Sequence, residues 1–253
     1  MGVLNLTPNS FSDGGKYLKK DLAETHAKKL LKDGCGILDI GGEATNPGST
    51  DVNLDEEWRR IFPTLSKIKR LKIFTSLDTR KSKIMKNGIK NKVNLINDVS
   101  GLEYDQNTID VLKDTRIPFV IHHMQGNPKT MQKNPKYKNV VLDIYDFFEK
   151  KIKYLRLKGI KHNNIILDPG IGFGKNLKHN ITLLRNISIF HSLGFPIMLG
   201  TSRKRFIKEL SGENDSKERL GGTISSNLFA IMQGVQILRV HDVNEVKQSI
   251  KVF

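Results

Sequence analysis

Asp78, Asn97 and Asp168 each stand at the end of a short apolar run. A carboxylate offers two acceptor oxygens and pairs bidentately with an amidine-like N–C–N edge, and a primary amide adds one donor and one acceptor. Lys204, Arg239 and His241 follow two later runs. They suit an oxyanion, and a guanidinium grips phosphate through two parallel N–H bonds. Asn5, Asp39, His122, His123 and Ser202 hold comparable places, and Thr45 lies in the loop beyond Asp39. Singly, each is as readily a strand-end cap or a surface loop residue. If one fold gathers them, they make a heterocycle pocket beside an anion pocket.

The elements between them alternate. Strands are expected at residues 3–6, 36–40, 72–77, 93–96, 118–121, 164–167, 196–199 and 235–240. Helical periodicity follows each: 18–32, 54–69, 81–89, 106–113, 140–158, 177–193, the pair 203–210 and 217–233, and 243–251. Near-continuous apolar strands such as Ile165-Ile166-Leu167 mark a parallel sheet covered on its outer face. Eight such units within 253 residues predict an α/β fold, a (β/α)8 TIM barrel forming one domain over residues 1–253. An open doubly wound sheet is the alternative, since strand order is not written in the sequence. In a barrel the polar strand ends converge on one opening, with phosphate bound near the loops after strands seven and eight.

Composition agrees with an ordinary core, at 38% hydrophobic residues plus 21 glycines. No apolar stretch approaches the ~20 residues that span a bilayer, so a soluble chain away from membranes is expected. Cys35 is the only cysteine, which precludes an intrachain disulfide and fits a cytoplasmic protein. It reads as a small buried hydrophobe at a strand entry rather than as a nucleophile. The net charge of +16 raises nucleic acid as a partner. Its lysines are scattered, mostly on expected helices such as 81–92 and 150–158, and no nucleic-acid motif accompanies them. They read as a solvated surface that attracts a small anionic substrate.

The run Gly170-Ile171-Gly172-Phe173-Gly174-Lys175 resembles a phosphate loop but fails both common templates. Pro169 and Asn176 stand where a P-loop needs Gly and Ser or Thr, and Lys175 where the dinucleotide spacing needs Gly. It is read as a turn letting backbone approach a ligand, with Phe173 and Lys175 available as contacts. The loops 7–15 and 41–53 are long for βα connections, as lids and binding loops often are.

The strand-end motifs, in their order, resemble the dihydropteroate synthase family of pterin-binding enzymes. The matching segments are residues 1–15, 39–48, 76–79, 96–99, 123–126, 167–175, 200–204 and 239–242. The resemblance implies condensation of (7,8-dihydropterin-6-yl)methyl diphosphate with 4-aminobenzoate, giving 7,8-dihydropteroate and diphosphate. It implies that Asp78, Asn97, Asp168 and Lys204 contact the pterin, with Asp78 and Lys204 catalytic. Thr45, Arg239 and His241 are associated with the diphosphate, Asn5 with Mg2+, and Phe11, Phe173 and Ser202 with the aminobenzoate. It further implies a homodimer.

Two positions depart from the family. Asn9 stands in place of an Asp and Asn46 in place of an Arg, which bears on loop closure and on response to sulfonamide analogues. The short segment that often precedes the first strand is absent, which implies an open barrel floor or a trimmed chain. Three other readings compete. A pterin-binding methyltransferase domain shares the barrel but lacks the Ser-Phe-Ser-Asp-Gly-Gly loop. A metal-dependent hydrolase would use His122, His123 and His241, yet wants a His-x-His pair where this chain has Asn5. A basic RNA-binding protein would bind in a steeply salt-dependent way.

Overall fold

The computed structural model describes residues 1–7, 19–45 and 48–253. Eight parallel strands follow one another: β1 (Gly2–Asn5), β2 (Ile37–Gly41), β3 (Phe74–Asp78), β4 (Leu95–Asp98), β5 (Phe119–His122), β6 (Ile165–Asp168), β7 (Met198–Leu199) and β8 (Ile237–Leu238). β1 to β6 pair in sequence order, and β7 pairs β8. Single bridges close the two seams, Leu167 with Ile197 and Gly2 with Val240. At the second seam Val3 N donates to Val240 O at 3.0 Å and Val240 N to Met1 O at 2.9 Å. The sheet is therefore a closed barrel, and the open-sheet alternative falls.

The helices form the outer layer: α1 (Lys19–Lys32), α2 (Leu54–Ile68), α3 (Ser82–Lys90), α4 (Thr108–Lys113), α5 (Val140–Leu157), α6 (Leu177–Arg185), α7 (Arg205–Ser211), α8 (Leu220–Met232) and α9 (Val243–Val252). Their starts follow local capping. Asn53 accepts from Glu56 N at 2.8 Å at the head of α2, and Asn176 with His179 forms a capping box on α6. The expected helix at 177–193 breaks at Asn186, whose amide donates to Thr182 O at 2.7 Å, and a 3-10 segment, Ile187–Leu193, follows.

Strand residues alternate between two cores. Leu38, Ile40, Leu77, Ile96, Phe119, Ile121, Ile165, Leu167, Ile197 and Leu199 face the helices. Leu95, Val120, Ile166 and Met198 form a separate cluster with Met1, Ile37 and Ile237, which fills the barrel interior. Ile165-Ile166-Leu167 is thus apolar throughout because both sides are buried, not because one side is. Above the inner cluster the same inward positions turn polar: Asp39, Asp78, Asn97, His122, Asp168 and Arg239. The register sets Asp78 beside Asn97 and His122 beside Asp168. One layer of strand ends is therefore hydrophilic on the inside, at the C-terminal mouth.

Two expectations about lysines are revised. Lys81, read as part of a solvated helix, is 5% exposed. Its Nζ meets Glu43 Oε1 at 2.9 Å and Glu57 Oε2 at 2.5 Å, while Arg80 holds Glu43 and Asp51. This paired network braces the loop after β2. Lys175 is also buried, at 2%. Cys35 is buried as expected, with Sγ between Gly2 N at 3.1 Å and Ile37 O at 2.7 Å. Among the described residues no helix is long and apolar enough to cross a membrane.

Candidate active site

A cavity of about 670 Å³ opens at the C-terminal mouth. Asn5, Thr45, Asp78, Asn97, Asp168, Phe173, Ser202, Lys204, Arg239 and His241 all line it. Strands β1, β3, β4 and β6 and the segments after β2, β6, β7 and β8 thus deliver side chains to one chamber. Phe11 lies outside the described residues, as do Asn9 and Asn46.

The acids are held by one cation. Arg239 Nε donates to Asp39 Oδ2 at 2.7 Å and its Nη2 to Asp78 Oδ2 at 2.9 Å. Arg239 therefore stands among the carboxylates, so acids and cations are less segregated than the strand ends suggest. Asp39, fully buried, also accepts from Asn97 Nδ2 at 3.2 Å. That bond points the Asn97 amide, and leaves Asn97 Oδ1 buried without a partner among the described residues. An orphaned carbonyl at a cavity wall is an acceptor waiting for a ligand N–H. Asp39 was named as a strand end but not placed in the site. The signal was there, since it is the one charge in the run Ile37-Leu38-Asp39-Ile40.

Burial pushes the Asp78 carboxyl up to about 8, helped by the Asp39 carboxylate and opposed by Arg239. Burial likewise raises Asp168, against the pull of Lys204. Asp168 Oδ1 accepts Gly170 N at 2.8 Å. Lys204 is lowered by burial to about 8, with Asp168 opposing. Its Nζ donates to Ile171 O and stands 4.7 Å over the Phe173 ring. Perturbed groups gathered in one cleft mark a chemical site.

His241 is a neutral imidazole at pH 7, because burial and then Arg239 push it down to about 4. Its Nδ1 lies 3.0 Å from Ser202 Oγ, which also accepts the His241 amide at 3.2 Å. It is therefore not a third cation beside Lys204 and Arg239, and its ring can offer a hydrogen bond instead. His122 is also neutral, lowered far by burial, with Nδ1 on Val99 O at 3.0 Å.

The hydrolase reading needs three convergent metal ligands. Among the described residues no group of three His, Cys, Asp or Glu could hold a metal ion. His123 turns away from the cavity, its Nδ1 3.0 Å from Lys175 Nζ. Lys175 itself is not among the lining residues, which corrects its expected role as a contact. The glycine run turns its carbonyls toward cationic and polar donors and ties two of its amides, Gly170 N and Gly172 N, to Asp168 and Asn180, the opposite of a phosphate loop.

The donor set also bears on Mg2+. Asn5 supplies a neutral oxygen at the rim of the anion side. Mg2+ is commonly held by few protein ligands, with waters and substrate phosphates completing an octahedron. Asn5 fits a metal carried in with a diphosphate, not one caged by protein alone.

The pterin-binding enzyme family model matches residues 1–241. The dihydropteroate synthase of Escherichia coli (strain K12) is 40% identical over 253 residues, covering 100% of this chain and 89% of the relative. That of Neisseria meningitidis serogroup B is 43% identical over 259 residues, covering 100% and 90%. Among solved structures, the Clostridium difficile dihydropteroate synthase with pteroic acid superposes with a TM-score of 0.93 at 40% identity, covering 100% of this chain and 94% of that one. The Xanthomonas albilineans enzyme with 4-aminobenzoic acid gives 0.94 at 36%, covering 100% and 90%. A family model across nearly the whole chain, and relatives that share the barrel end to end, establish that this chain belongs to the dihydropteroate synthases.

Proposed function

We propose that the cavity seats the pterin of (7,8-dihydropterin-6-yl)methyl diphosphate against Asp78, Asn97, Asp168 and Lys204, with its diphosphate toward Thr45, Arg239 and His241. The reaction is attack by the amine of 4-aminobenzoate on the exocyclic methylene, with diphosphate leaving, to form 7,8-dihydropteroate. The observation that carries this reading is the convergence of two acids, the Asn97 amide and a half-buried lysine on a chamber that also holds Arg239.

The chemistry follows from charge. The electron-rich pterin stabilises positive charge at the methylene as the C–O bond lengthens. Asp78 and Asp168 lie where that charge delocalises, in a site that excludes much water, and there fixed carboxylates act strongly. A bound N–C–N edge replaces the lost hydration of Asp78 and favours its ionised form. Arg239 then neutralises the departing side, and His241 donates a hydrogen bond fixed by Ser202. Mg2+, held by Asn5 and the diphosphate, would add charge neutralisation on the leaving group. Phe11, Phe173 and Ser202 are assigned to the aminobenzoate. We further assign the enzyme to the cytoplasm, as a homodimer, with no nucleic-acid partner.

Release of diphosphate from the pterin substrate that requires 4-aminobenzoate, with pteroate formed in equal amount, is the expected result. Diphosphate release independent of the amine, or methyl transfer from methyltetrahydrofolate in its place, would overturn the reading.

A further inference from the structure

The glycine run after β6 has its Gly170 and Gly172 amides taken up by side-chain oxygens, so its shape needs an explanation other than a phosphate cradle. Its carbonyls meet side-chain donors in unbroken succession. Gly170 O and Phe173 O each accept from Lys175 Nζ at 2.9 Å. Ile171 O accepts from Lys204 Nζ. Gly172 O accepts from Gln132 Nε2 at 2.7 Å and Gly174 O from the Tyr137 hydroxyl at 2.8 Å. Two amides are tied as well, Gly170 N to Asp168 and Gly172 N to Asn180 Oδ1 at 2.7 Å.

Lys175 sits at the centre of this cage. Its third contact, His123 Nδ1 at 3.0 Å, crosses to the end of β5, where His123 O adds a longer fourth at 3.5 Å. The three short contacts match the three hydrogens of an ammonium, or two hydrogens and one lone pair of an amine whose partner is the His123 N–H. Burial favours the amine. Among the described residues no carboxylate forms an ion pair with Lys175, so the side chain is not there for a salt bridge. The loop also lies too close to β5 for any side chain but hydrogen at two points. A Cβ at Gly170 would fall 1.9 Å from His123 O, and one at Gly174 2.5 Å from Gln125 O. Both glycines have positive φ, 72° and 62°.

The loop presents the Phe173 ring to the cavity, its centroid 4.4 Å from that of His122, and its buried Ile171 carbonyl receives Lys204, which lines the cavity. We propose that Lys175 is a positioning residue: its Nζ, by binding the Gly170 and Phe173 carbonyls and bridging to His123, sets the loop that places Phe173 and Lys204 against both substrates. Lys175 reaches the substrates only through those two residues. The proposal rests on the dihydropteroate synthase reading for the names of the substrates, but not for the geometry.

Lys175→Met keeps length and removes every hydrogen bond of the Nζ. The folded variant is expected to raise the KM of both the pterin diphosphate and 4-aminobenzoate by about tenfold or more, with kcat falling less, as small misplacements of binding groups do. A residue that served stability alone would lower the active fraction and leave both KM values unchanged. Tyr137→Phe removes only the bond to Gly174 O and is the second variant should the first not fold; a smaller rise in both KM values is expected. Amide hydrogen exchange, which needs no substrate, is expected to lose protection over residues 170–175 in either variant. Unchanged KM values in folded Lys175→Met, or in Tyr137→Phe should the first not fold, overturn the proposal, as does unchanged exchange. A wild-type enzyme without amine-dependent diphosphate release sinks the functional reading instead, and leaves the exchange result to decide the loop.

Discussion

Replacing Asp78 by Asn tests whether the site holds its acid at the expense of stability. The native carboxyl sits near 8 against 3.8 for an ordinary Asp, chiefly through burial. A group whose pKa is raised by folding contributes stability that is complete below its unfolded pKa and declines as pH rises. For Asp78 that decline runs from about pH 4 to about pH 8. At pH 7 the unfolded chain is ionised and the folded one largely is not, a separation of about three pH units above 3.8. At ~1.4 kcal/mol per unit this bounds the penalty at roughly 4 kcal/mol. Arg239 is already counted in that balance, since it opposes the rise. Asn keeps an acceptor for Arg239 and cannot ionise. Coupling to Asp39 and relaxation reduce the gain, so an increase of about 1–2 kcal/mol is expected, or roughly 2–8 °C in Tm for a chain of this size. Thermal melts at pH 5 and pH 7.5 provide the assay. The difference between wild type and Asp78→Asn should widen with pH and close near pH 4. Turnover at saturation should fall about a hundredfold or more, because the carboxylate opposite the developing cation is gone. A variant that melts lower than wild type at pH 7.5, or keeps near-normal turnover, would refute the reasoning.

Three further outcomes are expected. The kcat/KM for the pterin diphosphate should be bell-shaped with both limbs near pH 8, because ionised Asp78 and protonated Lys204 are both required; Lys204→Arg should move the alkaline limb upward, and a flat profile between pH 6 and 10 would contradict both assignments. Arg239→Met should lose activity and also destabilise by about 3–5 kcal/mol, since it leaves the fully buried Asp39 without its cation and Asp78 without its donor; urea unfolding at pH 7 measures this, and an unchanged midpoint would remove Arg239 from the role of counter-ion. Titration of Mg2+ into enzyme with diphosphate should tighten diphosphate binding, and Asn5→Ala should weaken that coupling by about tenfold; calorimetry with equal affinity in EDTA and in excess Mg2+ would dismiss the ion.

Much of this was legible in the sequence, for a physical reason. A strand buried on both sides changes from apolar to polar only where the barrel opens, so Asp78, Asn97 and Asp168 announced the mouth by ending aliphatic runs. Helix starts were equally plain where a side chain caps them, as at Asn53, Asn139 and Asn176. What escaped notice depends on partners distant in the chain. Asp39 looks like any strand-end acid until Arg239, two hundred residues away, closes on it. Lys81 reads as surface charge and Lys175 as a ligand contact because sequence cannot distinguish such a lysine from one enclosed by Glu43 and Glu57, or by backbone carbonyls.

The glycine run shows where pattern and chemistry part. Spacing alone suggested a loop that approaches a ligand with its backbone, and glycine at positive φ permits that for amides and carbonyls alike. Which of the two faces inward decides whether such a loop attracts anions or cations. Here the carbonyls face inward, so the loop holds the two lysines, Lys175 and Lys204. Under the proposed function the anion then falls to the side chains of Arg239, His241 and Thr45, and the loop's carbonyls serve Lys204 and the pterin rather than the diphosphate.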